Sequence, residues 1–248
     1  MARRRRPPDE TGRATVLHPL VAEAAHRVGA DAVGLVDVGC SAGFNLLLDR
    51  VAVTYSTGLV LGDPSSPVQL EATVVGERPV PDRAVPAVVA RIGVDREPVD
   101  VTDPEDVAWV RAGEPDQPGR LEAAIGLTAA ARPLLLRGDP IDLLPEAIER
   151  VPPDALPVVT TTWALARYSV EARLRFLQGL DVAGARRTVA WVSAEGVGVA
   201  PGVPTMGDRH ASGHSILGVA VLAHRTLRAD AVGRCWSRGR MLSWLVES

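Results

Sequence analysis

The sequence contains no lysine: all 27 of its basic residues are arginine. A P-loop nucleotidase needs a lysine on the phosphates, and a pyridoxal phosphate enzyme needs one for its Schiff base, so both classes are excluded. Cysteine is scarce as well. Cys40 and Cys235 are the only two, too few for a disulfide framework and suited to a reducing cytoplasm. No apolar run is long enough to span a membrane. In "ATVLHPLVAEAAHRVGA", His18, Glu23 and His26 interrupt the apolar core that a signal peptide requires, so the segment is expected to be an amphipathic helix. Excess positive charge is missing too. The net charge of −3 offers no nucleic-acid surface, and Arg3 to Arg6, followed by Pro7 and Pro8, read as a disordered basic tail over residues 1–12.

What remains is a chain long enough for one large domain, residues 13–248. Residues 35–38 form an apolar strand, and "GFNLLLDR" turns helical after a glycine-bearing loop. Strand, loop, helix begins a doubly wound, mostly parallel α/β sheet. Residues 51–86 break that rhythm. Val51, Val53 and Tyr55, then Val68, Leu70, Ala72 and Val74, alternate with small or polar residues. They predict an inserted antiparallel hairpin joined by the loop "GLVLGDPSSP". The alternation then resumes. "AVVARIGVD" ends as a strand at Asp95, and Asp103 caps a helix with Pro104 in its first turn. A second helix follows over 120–131. "PLLLRGD" is a strand ending at Asp139, with a short helix over 141–150. "LPVVTTTW", a helix capped by Ser169 and "RTVAWVSAEG" complete the series. Residues 197–213 read as a loop, and the C-terminal stretch as antiparallel strands at the sheet edge.

The loop Gly39-Cys40-Ser41-Ala42-Gly43 admits three chemistries. As Gly-x-Ser-x-Gly it has the local form of a serine hydrolase elbow. That fold places an oxyanion-hole loop and several strands before the nucleophile, and here only 34 residues precede the strand. A nicotinamide fingerprint needs glycines where Ser41 and Phe44 stand. The third reading starts at Asp37: Asp-x-Gly-x-Ser-x-Gly resembles the first motif of S-adenosylmethionine (SAM) dependent methyltransferases. In that reading Asp37 faces the methionine portion, and Gly39 and Gly43 allow close backbone approach. Asp95 ends the next parallel strand and accepts hydrogen bonds from both ribose hydroxyls. The usual spacing of those two acids is about 20 residues, and the insertion accounts for most of the excess. "RGDPIDLLP" resembles the methyltransferase segment whose acid and following residues contact adenine, which assigns Asp139 and Ile141 to the base. The three acids would share the carboxyl edge of neighbouring strands, where open α/β sheets bind ligands.

A wider resemblance rests on "VDVGCSAGFNLLLDR", "GDPSSPVQLEA", "RIGVDREPVDVTDPEDVAWVRA", "RLEAAIGL", "RGDPIDLLP" and "VVTTTWALARYSVEARLRF". Over residues 10–248 these resemble a bacterial, largely actinobacterial, domain-of-unknown-function family with a class I SAM-methyltransferase-like fold. The resemblance implies that fold without fixing a reaction. The family carries an additional helical region where this chain has "MARRRRPPDE", which implies a shortened start, and a His-Gly pair where this chain has Arg238-Gly239.

The cofactor site expected is Asp37, Gly39, Cys40, Ser41, Gly43, Asn45, Asp95, Arg96, Gly138, Asp139, Ile141 and Thr161, holding SAM. Methyl transfer is a direct displacement that alignment alone can promote, so no fixed catalytic residue is demanded. Acceptor-side candidates are Asp63 (with Ser65 and Ser66), which the insertion would carry over the ligand edge, Trp163 at a strand end, and Glu195 as a base. The absence of Asn-Pro-Pro-Tyr after the fourth strand argues against methylation of a nucleic-acid base. His210 and His214 lie in a loop-like segment and predict no metal site. The sequence thus predicts a SAM-dependent methyltransferase acting on a small-molecule or protein acceptor. The alternatives are a non-catalytic SAM-fold binding or regulatory protein and a serine hydrolase. It sets no oligomeric state.

Overall fold

The computed structural model describes residues 11–113 and 117–247. Within them lie eleven strands: β1 (Ala32–Val38), β2 (Ala52–Tyr55), β3 (Val60–Gly62), β4 (Gln69–Val74), β5 (Ala87–Asp95), β6 (Leu134–Arg137), β7 (Leu156–Thr162), β8 (Val189–Gly196), β9 (Ser215–Ala223), β10 (Thr226–Trp236) and β11 (Met241–Trp244). The helices are α1 (Ala14–Val28), α2 (Pro104–Arg111), α3 (Pro118–Ala131), α4 (Leu144–Glu149) and α5 (Val170–Gly184).

All eleven strands join in one sheet, ordered β3-β2-β4-β11-β10-β9-β8-β7-β1-β5-β6. The five strands β6-β5-β1-β7-β8 are parallel neighbours. Counted along the chain they run 3-2-1-4-5, so the order reverses between β1 and β7. Strands β1 and β7 are near-continuous apolar runs because helices cover both faces. Leu35, Val158 and Val192 pack toward α1 and α3. Their chain neighbours Val36, Val159 and Trp191 pack toward α4 and α5, where Trp191 meets Phe176 edge-on at 5.2 Å. Each such side chain contributes about 1.5–3 kcal/mol of burial.

Several expected elements take other forms. The insertion is not one antiparallel hairpin: β2 and β4 pair in parallel, and the hairpin is β2 with β3, formed inside the expected loop. The C-terminal strands are not at the edge either. Strand β9 runs antiparallel to β8, and β11 pairs with β4, so the insertion extends the sheet beyond them. Phe44–Arg50 is a kinked 3-10 helix. Strand β6 ends at Arg137, two residues before Asp139, and the helix expected at 141 begins at Leu144. The first helix buries its polar positions His18 and Glu23 together with its apolar face: residues 14–25 are all buried, because α1 packs against β8 and β9 and also meets β4 and β7. Asp103 and Ser169 cap their helices as read. Residues 1–10 of the expected tail lie outside the described residues. Thr11 is already buried and accepts a hydrogen bond from Arg120. No helix among the described residues is long and apolar enough to cross a membrane.

Candidate functional site

At the reversal point, the loop after β1 is fastened to the end of β5. The amides of Gly39 and Cys40 donate to the Val94 carbonyl at 2.8 and 3.3 Å, and the Val99 amide donates to the Ser41 carbonyl. Gly39 and Gly43 both sit at φ 77°, in the left-handed region that favours glycine. Close packing below the loop demands a third glycine: a Cβ on Gly93 would stand 2.5 Å from the Cys40 sulfur. Ser41 shares the left-handed backbone at φ 49°.

A cleft of about 170 Å³ opens beside this loop, lined by Gly39, Asp95, Arg96, Pro140, Ala164, Arg167 and Tyr168. Asp95 is its central acid. One carboxylate oxygen accepts the Ser41 amide at 3.0 Å and the other the Glu97 amide at 2.9 Å. A carboxylate offers about four acceptor positions, so two amides orient it and leave capacity for a ligand. Asp139 stands at the same rim. Burial works against its ionisation, but the Ile141 amide and the Arg96 guanidinium hold its carboxyl below the usual range. Arg96 also lies over the Tyr168 ring, 5.9 Å from its centroid. Burial pushes the Tyr168 hydroxyl up to about 12.

Asp37 behaves differently. It is fully buried and faces inward, accepting from Thr160 Oγ1 at 2.6 Å and Asn45 Nδ2 at 3.0 Å. Burial raises its pKa to about 6 against the pull of both donors. Asn45 also donates to Thr162 Oγ1, and so does Arg13, whose guanidinium reaches the Thr162 carbonyl as well. Asp37 is therefore an internal anchor behind the loop and does not line the cleft.

Other expected site residues separate in the same way. Gly39, Asp95 and Arg96 line the cleft, and Asp139 touches it through Arg96. The Gly138 amide is spent on the Asp95 carbonyl. Ile141 is buried in the α4–α5 core, and its neighbour Pro140 takes the lining position. Thr161 accepts from Trp191 Nε1 at 3.0 Å and is fully buried. Cys40 and Asn45 are buried beneath the loop.

None of the acceptor-side candidates lines the cleft. One carboxylate oxygen of Asp63 accepts the amide and hydroxyl of Ser65, within the hairpin loop. Trp163 donates to Ser215 at 2.9 Å and carries Arg13 over its ring. Glu195 is buried under the turn after β7, where one oxygen accepts the amides of Ala164 and Leu165. Burial lifts its pKa to about 7. The Ser41 hydroxyl is buried and has no hydrogen-bond partner among the described residues, so no base addresses it.

Sequence reasoning missed Ala164, Arg167 and Tyr168 as lining residues. The available signal was position: all three lie between the end of β7 and the Ser169 cap, on the edge that already held Asp95. Arg13 and Thr160 carried no signal, because their roles depend on contacts distant in sequence.

A larger cavity of about 390 Å³ lies on the far side of the loop, against Ala42, Val99 and the end of α3. Its one acid, Asp100, is turned to the Thr102 amide and hydroxyl. The smaller cleft is the better candidate because the oriented carboxylate, the glycine loop and the reversal point meet there.

No curated protein and no solved structure matches the chain. A family model matches over residues 1–244. The chain therefore belongs to the DUF2332 family, described as an uncharacterised protein conserved in bacteria.

Proposed function

We propose that this protein is a SAM-dependent methyltransferase of the class I, doubly wound type, acting on a small-molecule or protein acceptor. One observation carries the reading. Asp95, at the carboxyl end of the strand next to β1, is held by two amides facing a glycine loop at the point where strand order reverses. A carboxylate so placed suits the vicinal hydroxyls of a ribose. Arg96, Pro140 and Tyr168 would flank the base, and the 39–43 loop would approach the amino-acid portion. SAM would supply an electrophilic methyl group; the chain's own contribution is to orient it and exclude water. A metal is not required by this reading.

A second reading, a SAM-fold protein that binds without transferring, draws on the placement of Asp63 and Glu195, neither of which lines the cleft. Calorimetry with SAM and S-adenosylhomocysteine tests the shared premise. Wild type should bind both at one site per chain, and Asp95→Ala should weaken binding at least tenfold. Absence of binding at millimolar ligand would overturn both readings. Turnover of radiolabelled SAM on any acceptor in a broad panel separates the first from the second.

A further inference from the structure

The wall of the cleft opposite Asp95 is the turn Ala164–Tyr168, which contributes Ala164, Arg167 and Tyr168. This turn is a three-residue 3-10 segment with few backbone bonds of its own: the Arg167 and Tyr168 amides reach the carbonyls of Ala164 and Leu165. It leaves β7 through Trp163, whose φ of 51° is a costly left-handed conformation for an aromatic residue. Trp163 itself is tied by its amide to the Ala194 carbonyl and by its ring to Ser215, and Arg173 donates to the Leu165 and Tyr168 carbonyls at 2.9 and 3.1 Å, so what is left to fix is the pair of amides at the start of the turn. The only side chain shown bonding the amides of Ala164 and Leu165 is Glu195, at 2.9 and 3.0 Å from a single oxygen. Glu195 comes from the end of β8, the strand beside β7. Its second oxygen is buried with no partner among the described residues. A buried carboxylate with an idle oxygen is costly, and Arg13, from the start of α1, is the charged group whose field offsets part of that cost.

We propose that Glu195 is the positioning residue of the cleft: its carboxylate gathers the amides at the start of the Ala164–Tyr168 turn and thereby sets Arg167 and Tyr168 against Asp95. It touches no ligand and acts through the turn. The ligand-binding part of this inference rests on the SAM reading; the part that concerns the turn does not.

Three variants separate hydrogen bonding from space filling. Gln keeps an acceptor oxygen, Met keeps the volume without one, and Ala keeps neither. Amide hydrogen exchange at Ala164 and Leu165 reads the turn directly. Expected is at least tenfold faster exchange in Glu195→Met and Glu195→Ala than in wild type, with Glu195→Gln close to wild type and the β7 amides unchanged. S-adenosylhomocysteine affinity should follow the same order, with at least a tenfold loss in Glu195→Met. If Glu195→Met kept wild-type exchange at both amides, the proposal would be overturned, whatever the ligand result. Normal exchange effects with no ligand binding in wild type would instead sink the SAM reading alone. Should Glu195→Met fail to fold, NMR on wild type decides the matter. The amide proton shifts of Ala164 and Leu165 should titrate with the midpoint of the Glu195 carboxyl carbon, and the absence of a shared midpoint overturns the clamp.

Discussion

The two halves of the sheet use the same material for different ends. The half built from β2–β4 and β9–β11 is packing: Leu70, Leu217, Val219, Leu242 and Trp244 are buried side chains serving one apolar core. The half built from β1 and β5–β8 is equally apolar along its strands but collects polar groups at their carboxyl ends. Asp37, Asn45, Thr160, Thr162 and Glu195 are all buried there. Buried oxygens without a partner among the described residues, on Ser41, Asn45, Ser193 and Glu195, fall on β8 or on the segment after β1, whereas the other half has Trp244 Nε1 in β11. Left-handed non-glycine backbone occurs in both halves: at Ser41 and Trp163 beyond this edge, and at His224, Arg225, Ser237 and Arg238 in the turns on either side of β10. Packing regions avoid unpaired buried polar atoms, whereas functional sites retain them. The difference that holds is the cluster of buried carboxyl and hydroxyl groups, which supports the candidate cleft at that edge.

The largest effect should fall on stability alone. Leu217→Ala in β9 removes a fully buried side chain and should cost about 2–5 kcal/mol in urea unfolding. The folded fraction should keep wild-type affinity for S-adenosylhomocysteine. A specific loss of affinity would show that the two halves are not separable.

Burial raises both Asp37, to about 6, and Glu195, to about 7. A carboxyl with a raised folded pKa contributes stability that is complete below the unfolded value, about 4, and lost as pH climbs through the folded value. The contribution of these two carboxyls to the unfolding free energy should therefore fall between about pH 4 and 7. In Asp37→Asn the decline should be shallower by on the order of 2–3 kcal/mol. His18, held near 4 by burial, contributes in the opposite sense, losing stability as pH falls from about 6.5 toward 4. Equal slopes in wild type and Asp37→Asn would remove Asp37 from the account.

Filling the space under the loop should give an intermediate effect. Gly93→Ala puts a methyl group against Cys40 and Leu135. It should cost about 1–3 kcal/mol through overpacking, and it should weaken ligand binding because the 39–43 loop must shift. Unchanged affinity would mean that the loop's position is not critical. The smallest effect belongs to Ser41. Its hydroxyl has no partner and its backbone is left-handed, so Ser41→Gly should be neutral or stabilising by up to about 1 kcal/mol. Ligand affinity should be retained. An esterase activity lost in Ser41→Ala would revive the hydrolase reading.

The legible parts of the fold were those whose signal is local. Short apolar runs, Leu35-Val36 with Val38 and Val158-Val159, announced β1 and β7, and the capping residues Asp103 and Ser169 marked helix starts. Strand partners were not legible. Period-two alternation identified β4 as a strand, but its neighbour β11 lies at the other end of the chain, and alternation does not name a partner. The site divides along the same line. Position at a strand end was readable for Asp37 and Asp95, and nearly so for Asp139, which lies two residues past the end of β6. Side-chain direction was not, because it depends on which donors other elements bring: amides of the adjoining loops to Asp95, but Thr160 and Asn45 to Asp37.

The methyltransferase reading stands or falls on whether Asp95 recognises the diol of a bound nucleoside. The most direct measurement compares S-adenosylhomocysteine with its 2′-deoxy analogue by calorimetry, in wild type and in Asp95→Ala. The account predicts that wild type loses at least tenfold in affinity when the hydroxyl is removed, and that Asp95→Ala scarcely distinguishes the two ligands. Equal discrimination by both proteins, or no binding of either ligand to wild type, would contradict it.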